Sequence, residues 1–153
     1  MIRSVLQPAV FALALSMAAG EPGFKAQFIG GTLPGVAPKS DARLDLTGAD
    51  VLVFRCGKIA LAIAYPRINT VEYGQSVSRR YAAGILISPV LLLSKTRKHF
   101  VTLGYSDAEG KQQALVFRVD KRDIRSVLAS LEARTGRRVE YTDDEARKGG
   151  KGG

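Results

Sequence analysis

The chain has 153 residues, of which 46% are apolar and 24% charged, so it is long and apolar enough for one domain with a hydrophobic core and is not wholly disordered. Its formal net charge of +9 favours acidic partners, such as an anionic membrane, a nucleic acid or an acidic protein face, and also serves solubility. The single cysteine, Cys56, excludes an intramolecular disulfide, and we expect it to be a small half-buried side chain.

The first predicted element is a secretory signal peptide over residues 1–20. Arg3 supplies a positive start, residues 9–19 (AVFALALSMAA) are apolar or small, and Ala18-Ala19-Gly20 offers a cleavage position. The apolar run is shorter than the roughly 20 residues that a membrane-spanning helix needs. The alternatives are a buried N-terminal helix or an uncleaved anchor. The signal predicts a secreted protein of the periplasm or cell envelope.

The next part of the chain divides into an arm and a β-rich domain. Residues 21–40 are rich in glycine and proline, which predicts an irregular N-terminal arm. The domain is predicted over 41–141, with about seven strands linked as antiparallel hairpins by short turns. Alternating or apolar runs place these strands near 41–46, 51–54, 59–64, 68–73, 81–93, 99–105 and 113–119.

The segment 79–98 is the predicted contact surface. Its stretch 81–93 (YAAGILISPVLLL) is the most apolar one after the signal, and cations flank it on both sides. This arrangement suits an anionic membrane surface, where apolar side chains enter the interface and cations stay at the head groups. A core strand and an oligomer interface are the alternatives for the same stretch. The candidate contact residues are Arg79, Arg80, Tyr81, Ile85, Leu86, Leu91, Leu92, Lys95, Arg97 and Lys98.

One amphipathic helix is predicted over residues 121–135. Asp120 is its expected N-cap, Asp123 resembles the acid of a capping box, and Gly136 is the expected terminal glycine. Residues 138–141 predict a short extended segment. The apolar stripe has the spacing i, i+3, i+4, i+7 and consists of Ile124, Val127, Leu128 and Leu131.

The sequence offers little for catalysis. His99 is the one histidine of the sequence, so a His-rich metal site is excluded. We expect His99 to be exposed or to lie at a strand edge. The sequence contains no G-x-S-x-G elbow, Walker loop or G-x-G-x-x-G pattern. We therefore expect no enzyme, catalytic residue, cofactor or metal, and no specific nucleic-acid partner. The tail 142–153, rich in glycine and lysine, is predicted to be disordered.

The order of predicted elements is similar to that of the pleckstrin-homology-like (PH-like) superfold, in which seven antiparallel strands precede one C-terminal helix. Two stretches resemble bacterial PH-like and GRAM-like domains. Residues 63–73 contain the pattern I-x-Y-x-x-I-x-x-V, and in the block 117–136 a strand enters the helix through Val119-Asp120-Lys121. The resemblance implies a partly open antiparallel barrel or sandwich capped by the helix.

The resemblance also implies a non-catalytic module that binds lipid head groups, peptides or proteins. Members that bind phosphoinositides carry a basic cluster in the first hairpin loop. The loop expected to correspond, 47–50, has no lysine or arginine, so inositol-phosphate binding is not expected. We predict an exported PH-like module, peripheral at the membrane, that contacts an anionic membrane surface or a protein partner through 79–98. The alternative is a structural subunit of a cell-envelope complex without lipid binding.

Overall fold

A computed structural model describes residues 22–75 and 99–142. The predicted signal peptide, the segment 79–98 and the tail from residue 143 onward lie outside the described residues. The described part is mainly β with one C-terminal helix, as predicted. Its elements are β1 (Phe24–Gly31), β2 (Asp41–Asp45), β3 (Val51–Cys56), β4 (Ile59–Ala64), a 3-10 turn (Tyr65–Arg67), β5 (Ile68–Gly74), β6 (Phe100–Ser106), β7 (Gln112–Val119), α1 (Ile124–Thr135) and β8 (Glu140–Tyr141).

The described strands form one open sheet with the order β4-β3-β2-β1-β7-β6-β5-β8. Two antiparallel meanders, β1 to β4 and β5 to β7, meet where β1 pairs with β7. The short β8 pairs in parallel with β5, which confirms an extended segment after the helix. The hairpins predicted between β2 and β3, between β3 and β4, and between β6 and β7 are therefore present, in a sheet that does not close on itself. The hairpin predicted between β4 and β5 is wrong, because β4 is an edge of the described sheet and β5 pairs with β6 and β8 instead.

The prediction of an irregular arm over residues 21–40 is wrong, because Phe24–Gly31 form β1 near the centre of the sheet. The glycine at the end of this strand permits a close approach of two backbones. Gly31 has a φ of +148°, and a Cβ placed on it would lie 2.4 Å from the carbonyl oxygen of Ala114 on β7. Glycine inside a strand often marks a close approach of two backbones. In the sequence alone, the glycines of this region indicate a loop instead.

The position of β1 also changes which loop belongs to the first hairpin. This loop is 32–40, between β1 and β2, while residues 47–50 lie between β2 and β3. The loop 32–40 holds one cation, Lys39, whose backbone N–H donates to the carbonyl of Phe28 over 2.7 Å. Neither loop contains a cluster of basic residues.

The main core lies on one face of the sheet and is covered by α1. The helix packs next to the 3-10 turn, and the guanidinium of Arg134 lies 6.0 Å from the centre of the Tyr65 ring. Tyr65 in turn donates its hydroxyl hydrogen to the carbonyl of Gly48 over 3.1 Å. The predicted helix stripe is confirmed, because its four residues are all buried in the core: Ile124, Val127, Leu128 and Leu131.

The helix begins later than predicted, at Ile124, because a turn precedes it. The carboxylate of Asp120 accepts a hydrogen bond from the backbone N–H of Arg122 over 2.9 Å, so it stabilises that turn. Asp123, the expected acid of a capping box, takes the N-cap position without a side-chain cap hydrogen bond. The predicted end is confirmed, since Gly136 adopts a φ of +67° and closes the last turn.

The outer face of the sheet, opposite the core, differs between the two meanders. Over β1 to β3 most of its side chains are polar and at least partly exposed, with the buried Asp45 as an exception. Over β6 and β7, and at Ile29 of β1, it is buried: Phe100, Thr102 and Val116 are at most 3% exposed, although none belongs to the core cluster. Strands buried on both faces have nearly continuous apolar sequences, as β6 and β7 do.

Candidate functional site

The predicted contact segment is attached at one corner of the sheet. Gly74, the last residue of β5, is the Cα partner of Phe100, the first residue of β6. Residues 75–99 therefore connect two strands that already pair with each other. The backbone N–H of Thr142 donates to the carbonyl of Tyr73 over 3.0 Å, so the C-terminal tail leaves from the same place. We call Gly74, Phe100 and Thr142 the attachment corner.

The predicted contact residues themselves lie outside the described part of the chain. Their positions relative to one another and to the sheet therefore stay a prediction. The residues concerned are Arg79, Arg80, Tyr81, Ile85, Leu86, Leu91, Leu92, Lys95, Arg97 and Lys98.

A row of three cations crosses the exposed outer face. Lys25 on β1 is the Cα partner of Arg43 on β2, which is the partner of Arg55 on β3. We call these three residues the basic row. Neighbouring strands lie about 4.8 Å apart, so the row spans roughly 10 Å. Like charges directly opposite each other are unfavourable in a sheet, and the Asp45 carboxylate, 3.3 Å from Arg55, offsets part of this repulsion.

A shallow concavity of about 460 Å³ lies over this row. Asp45 orients Arg55 at one end of the basic row, because its carboxylate lies 3.3 Å from Arg55 and also accepts hydrogen bonds from the backbone N–H and the hydroxyl of Thr47. The hydrogen bonds from Thr47 are the main reason that the pKa of Asp45 lies below its usual value. The lining residues are Lys25, Ala26, Asp41, Ala42, Arg43, Arg55 and Gly57.

The basic row and the attachment corner lie at the same end of the outer face. Gln27, two residues after Lys25, is the Cα partner of Arg118 on β7. Arg118 pairs with Phe100, and Phe100 pairs with Gly74. Residues two apart on a strand share a face, so the cations lie in a row adjacent to the one that contains Phe100 and Gly74 of the attachment corner.

His99 lies next to this corner and is half-buried rather than exposed. Its Nδ1 atom forms a hydrogen bond with the hydroxyl of Tyr73, and the two rings are nearly parallel, with centroids 5.9 Å apart. Burial lowers the pKa of His99, and the positive charge of Lys121 lowers it further. The histidine therefore favours its neutral form and helps to hold the end of β5 against β6.

The remaining candidates for chemistry are few in the described residues. Cys56 is buried, with its thiol 3.3 Å from the carbonyl oxygen of Asp41, and burial raises the pKa of that thiol. This agrees with a small packed side chain rather than a reactive one. Within residues 22–75 and 99–142, no group of three or more His, Cys, Asp or Glu residues is arranged to hold a metal ion.

Comparison with known proteins adds no family assignment. The sequence matches no protein-family model, and none of the curated proteins is similar enough to count as a relative. In the described ranges, no helix is long and apolar enough to cross a membrane.

Proposed function

We propose that this protein is a non-catalytic PH-like binding module that contacts an anionic membrane surface through the segment 79–98 and the adjoining basic row. The observation that carries the proposal is the alignment of Lys25, Arg43 and Arg55 at the end of the outer face where this segment is attached. Cations at head-group level beside an apolar stretch are typical of peripheral membrane binding. The proposed location is outside the cytoplasm, in the periplasm or cell envelope.

The order of elements supports the PH-like part of the proposal. Two antiparallel meanders, of four and three strands, are followed by one helix that packs on the core. The loops 32–40 and 47–50 lack a basic cluster, which favours binding by general anionic charge over recognition of an inositol phosphate. Fold alone does not determine function, and it is the three cations of the basic row that support an anionic ligand.

Vesicle co-sedimentation tests the membrane contact. The full chain is mixed with phosphatidylglycerol vesicles and, separately, with phosphatidylcholine vesicles. We expect pelleting with the anionic vesicles that weakens as the salt concentration rises, because salt screens exposed charges. Pelleting with the neutral vesicles measures how much of the binding comes from the apolar residues 9–19 of the predicted signal peptide, which the full chain contains. Equal and negligible pelleting with both would overturn the proposed lipid contact.

The second candidate function is a structural or interaction subunit without lipid binding. The buried outer face over β6 and β7 favours it, because Phe100 at the attachment corner and Val116 beside it are already inside the protein. Apolar side chains of 81–93 that pack within the protein or against a partner chain are not available to lipid.

The double variant Leu91→Asp/Leu92→Asp separates the two candidates. If the apolar stretch contacts lipid, the variant loses vesicle binding and keeps the wild-type unfolding temperature. If the stretch packs within the protein, the unfolding temperature falls, because burying a leucine contributes about 1.5–3 kcal/mol. If the stretch packs against a partner chain, the wild-type chain and the variant both pellet negligibly and unfold at the same temperature. Vesicle pelleting and thermal unfolding of the same preparations therefore separate lipid contact from both forms of packing.

A further inference from the structure

The strand β4 is an edge of the described sheet. β3 is its one neighbour among the described strands. Its side chains on the outer face, Ala60 and Ala62, are exposed, while Ile63 on the other face is buried. An edge strand presents backbone N–H and C=O groups that can pair with another strand.

This edge lacks the features that usually prevent pairing. Proteins protect their edges with charged side chains, prolines or β-bulges. The sequence of β4, IALAIA, contains no charge and no proline, and its register with β3 is continuous from Ile59 to Ala64. Lys58 and Pro66 lie just beyond the two ends of the strand. Among the described residues, the edge is therefore an uncharged strand of regular register with one side that no other strand pairs with.

The sequence of β4 also indicates which strand fits it. The five residues Ile59-Ala60-Leu61-Ala62-Ile63 are the same in both directions. In an antiparallel pair with a two-fold axis at Leu61, Ile59 opposes Ile63 of the second copy, Ala60 opposes Ala62, and Leu61 opposes itself. A two-fold interface requires this self-complementarity, because each surface meets its own copy.

We infer that β4 pairs antiparallel with β4 of a second copy of this chain, centred on Leu61. The two-fold axis keeps the outer faces of both copies on the same side of the joined sheet. Ala60 is the Cα partner of Arg55, so the two basic rows lie on one continuous surface. A strand pair of this length falls in the class of small interfaces, below about 1,200 Å², so the dimer dissociates on dilution. Two rows on one surface strengthen contact with an anionic membrane through avidity.

The test compares two variants that differ only at residue 62. In Ala60→Glu/Ala62→Glu, the carboxylate introduced at position 60 faces the carboxylate at position 62 of the second copy, and the like charges oppose pairing. In the matched control Ala60→Glu/Ala62→Lys, the same carboxylate faces an ammonium group at position 62 of the second copy, and the opposite charges favour pairing. Both substituted alanines are exposed, and the new carboxylate at position 60 lies beside Arg55, so both variants should fold. Thermal unfolding checks this.

Light scattering of the full chain over a concentration series, without vesicles, measures the association. We expect a wild-type dimer, retained in Ala60→Glu/Ala62→Lys, whereas Ala60→Glu/Ala62→Glu needs about tenfold more protein to dimerise or stays monomeric. A monomeric wild-type chain at all concentrations would overturn the inference, as would equal association of the two variants. Since no lipid is present, the result is independent of the proposed membrane contact.

Discussion

At the scale of single residues, Asp45 shows how a buried carboxylate supports the basic row. It is 7% exposed and joins the Thr47 turn to Arg55. We expect Asp45→Ala to lower the free energy of unfolding at pH 7 by about 1–3 kcal/mol, because Thr47 and Arg55 lose their hydrogen bonds to a charged carboxylate. Urea unfolding measures this. The exposed Asp41 is the control, since Asp41→Ala should change the value by at most about 0.5 kcal/mol. Equal effects of the two substitutions would contradict the role of Asp45.

His99 gives a prediction with a definite pH dependence. Its pKa is lower in the folded protein than in the unfolded chain, so the unfolded chain binds more protons once the pH falls below about 6.5. The contribution of the neutral histidine is therefore present at pH 7.5 and is lost as the pH falls toward 5.5. Urea midpoints at these two pH values should differ more for the wild-type chain than for His99→Gln. Identical pH dependence in the two proteins would refute this assignment.

At the scale of elements, β1 connects the two meanders, and Gly31 is where its backbone approaches β7. Gly31→Ala combines a strained positive φ with a Cβ 2.4 Å from the carbonyl oxygen of Ala114. Gly110→Ala is the control, because Gly110 also has a positive φ but has open space around it. We expect Gly110→Ala to cost about 1–2 kcal/mol and Gly31→Ala clearly more, by urea unfolding. If the two cost the same, the close approach is not a constraint on the fold.

The elements that could be predicted from the sequence are those with local signals. Strands β2 to β7 alternate or are apolar over their own length, and the helix stripe follows the period of one helix. β1 could not be predicted, because its central position depends on contacts with β7, such as Gly31 against Ala114, that are remote in sequence. The sequence predicts too early a start for α1, because Asp120 caps a turn before the helix.

The candidate site likewise contains one part that could be predicted from the sequence and one part that could not. The apolar stretch 81–93 and its flanking cations stand out in the sequence, and their role stays a prediction. The basic row could not be predicted, because Lys25, Arg43 and Arg55 become neighbours only through the register of β1, β2 and β3. The palindrome in β4 is visible in the sequence, but its meaning depends on β4 being an edge strand.

At the scale of the whole molecule, the sheet has three surfaces that differ in burial. One face holds the main core under α1, the outer face over β6 and β7 is buried, and the outer face over β1 to β3 is exposed and carries the basic row. The exposed part adjoins the corner where the segment 79–98 is attached. Positive charge at this end, rather than the overall charge of +9, should therefore direct contact with an anionic surface.

The most direct test compares two charge reversals on anionic vesicles. Lys25→Glu/Arg43→Glu removes charge from the basic row, whereas Lys111→Glu/Arg137→Glu removes the same charge at exposed positions away from it. Co-sedimentation of both full-length variants with phosphatidylglycerol vesicles is measured at matched salt, after thermal unfolding has shown that both are folded. We predict that the first variant loses most of its binding and that the second stays close to the wild-type chain. Equal loss in both variants, or no loss in the first, would contradict a contact surface at the basic row.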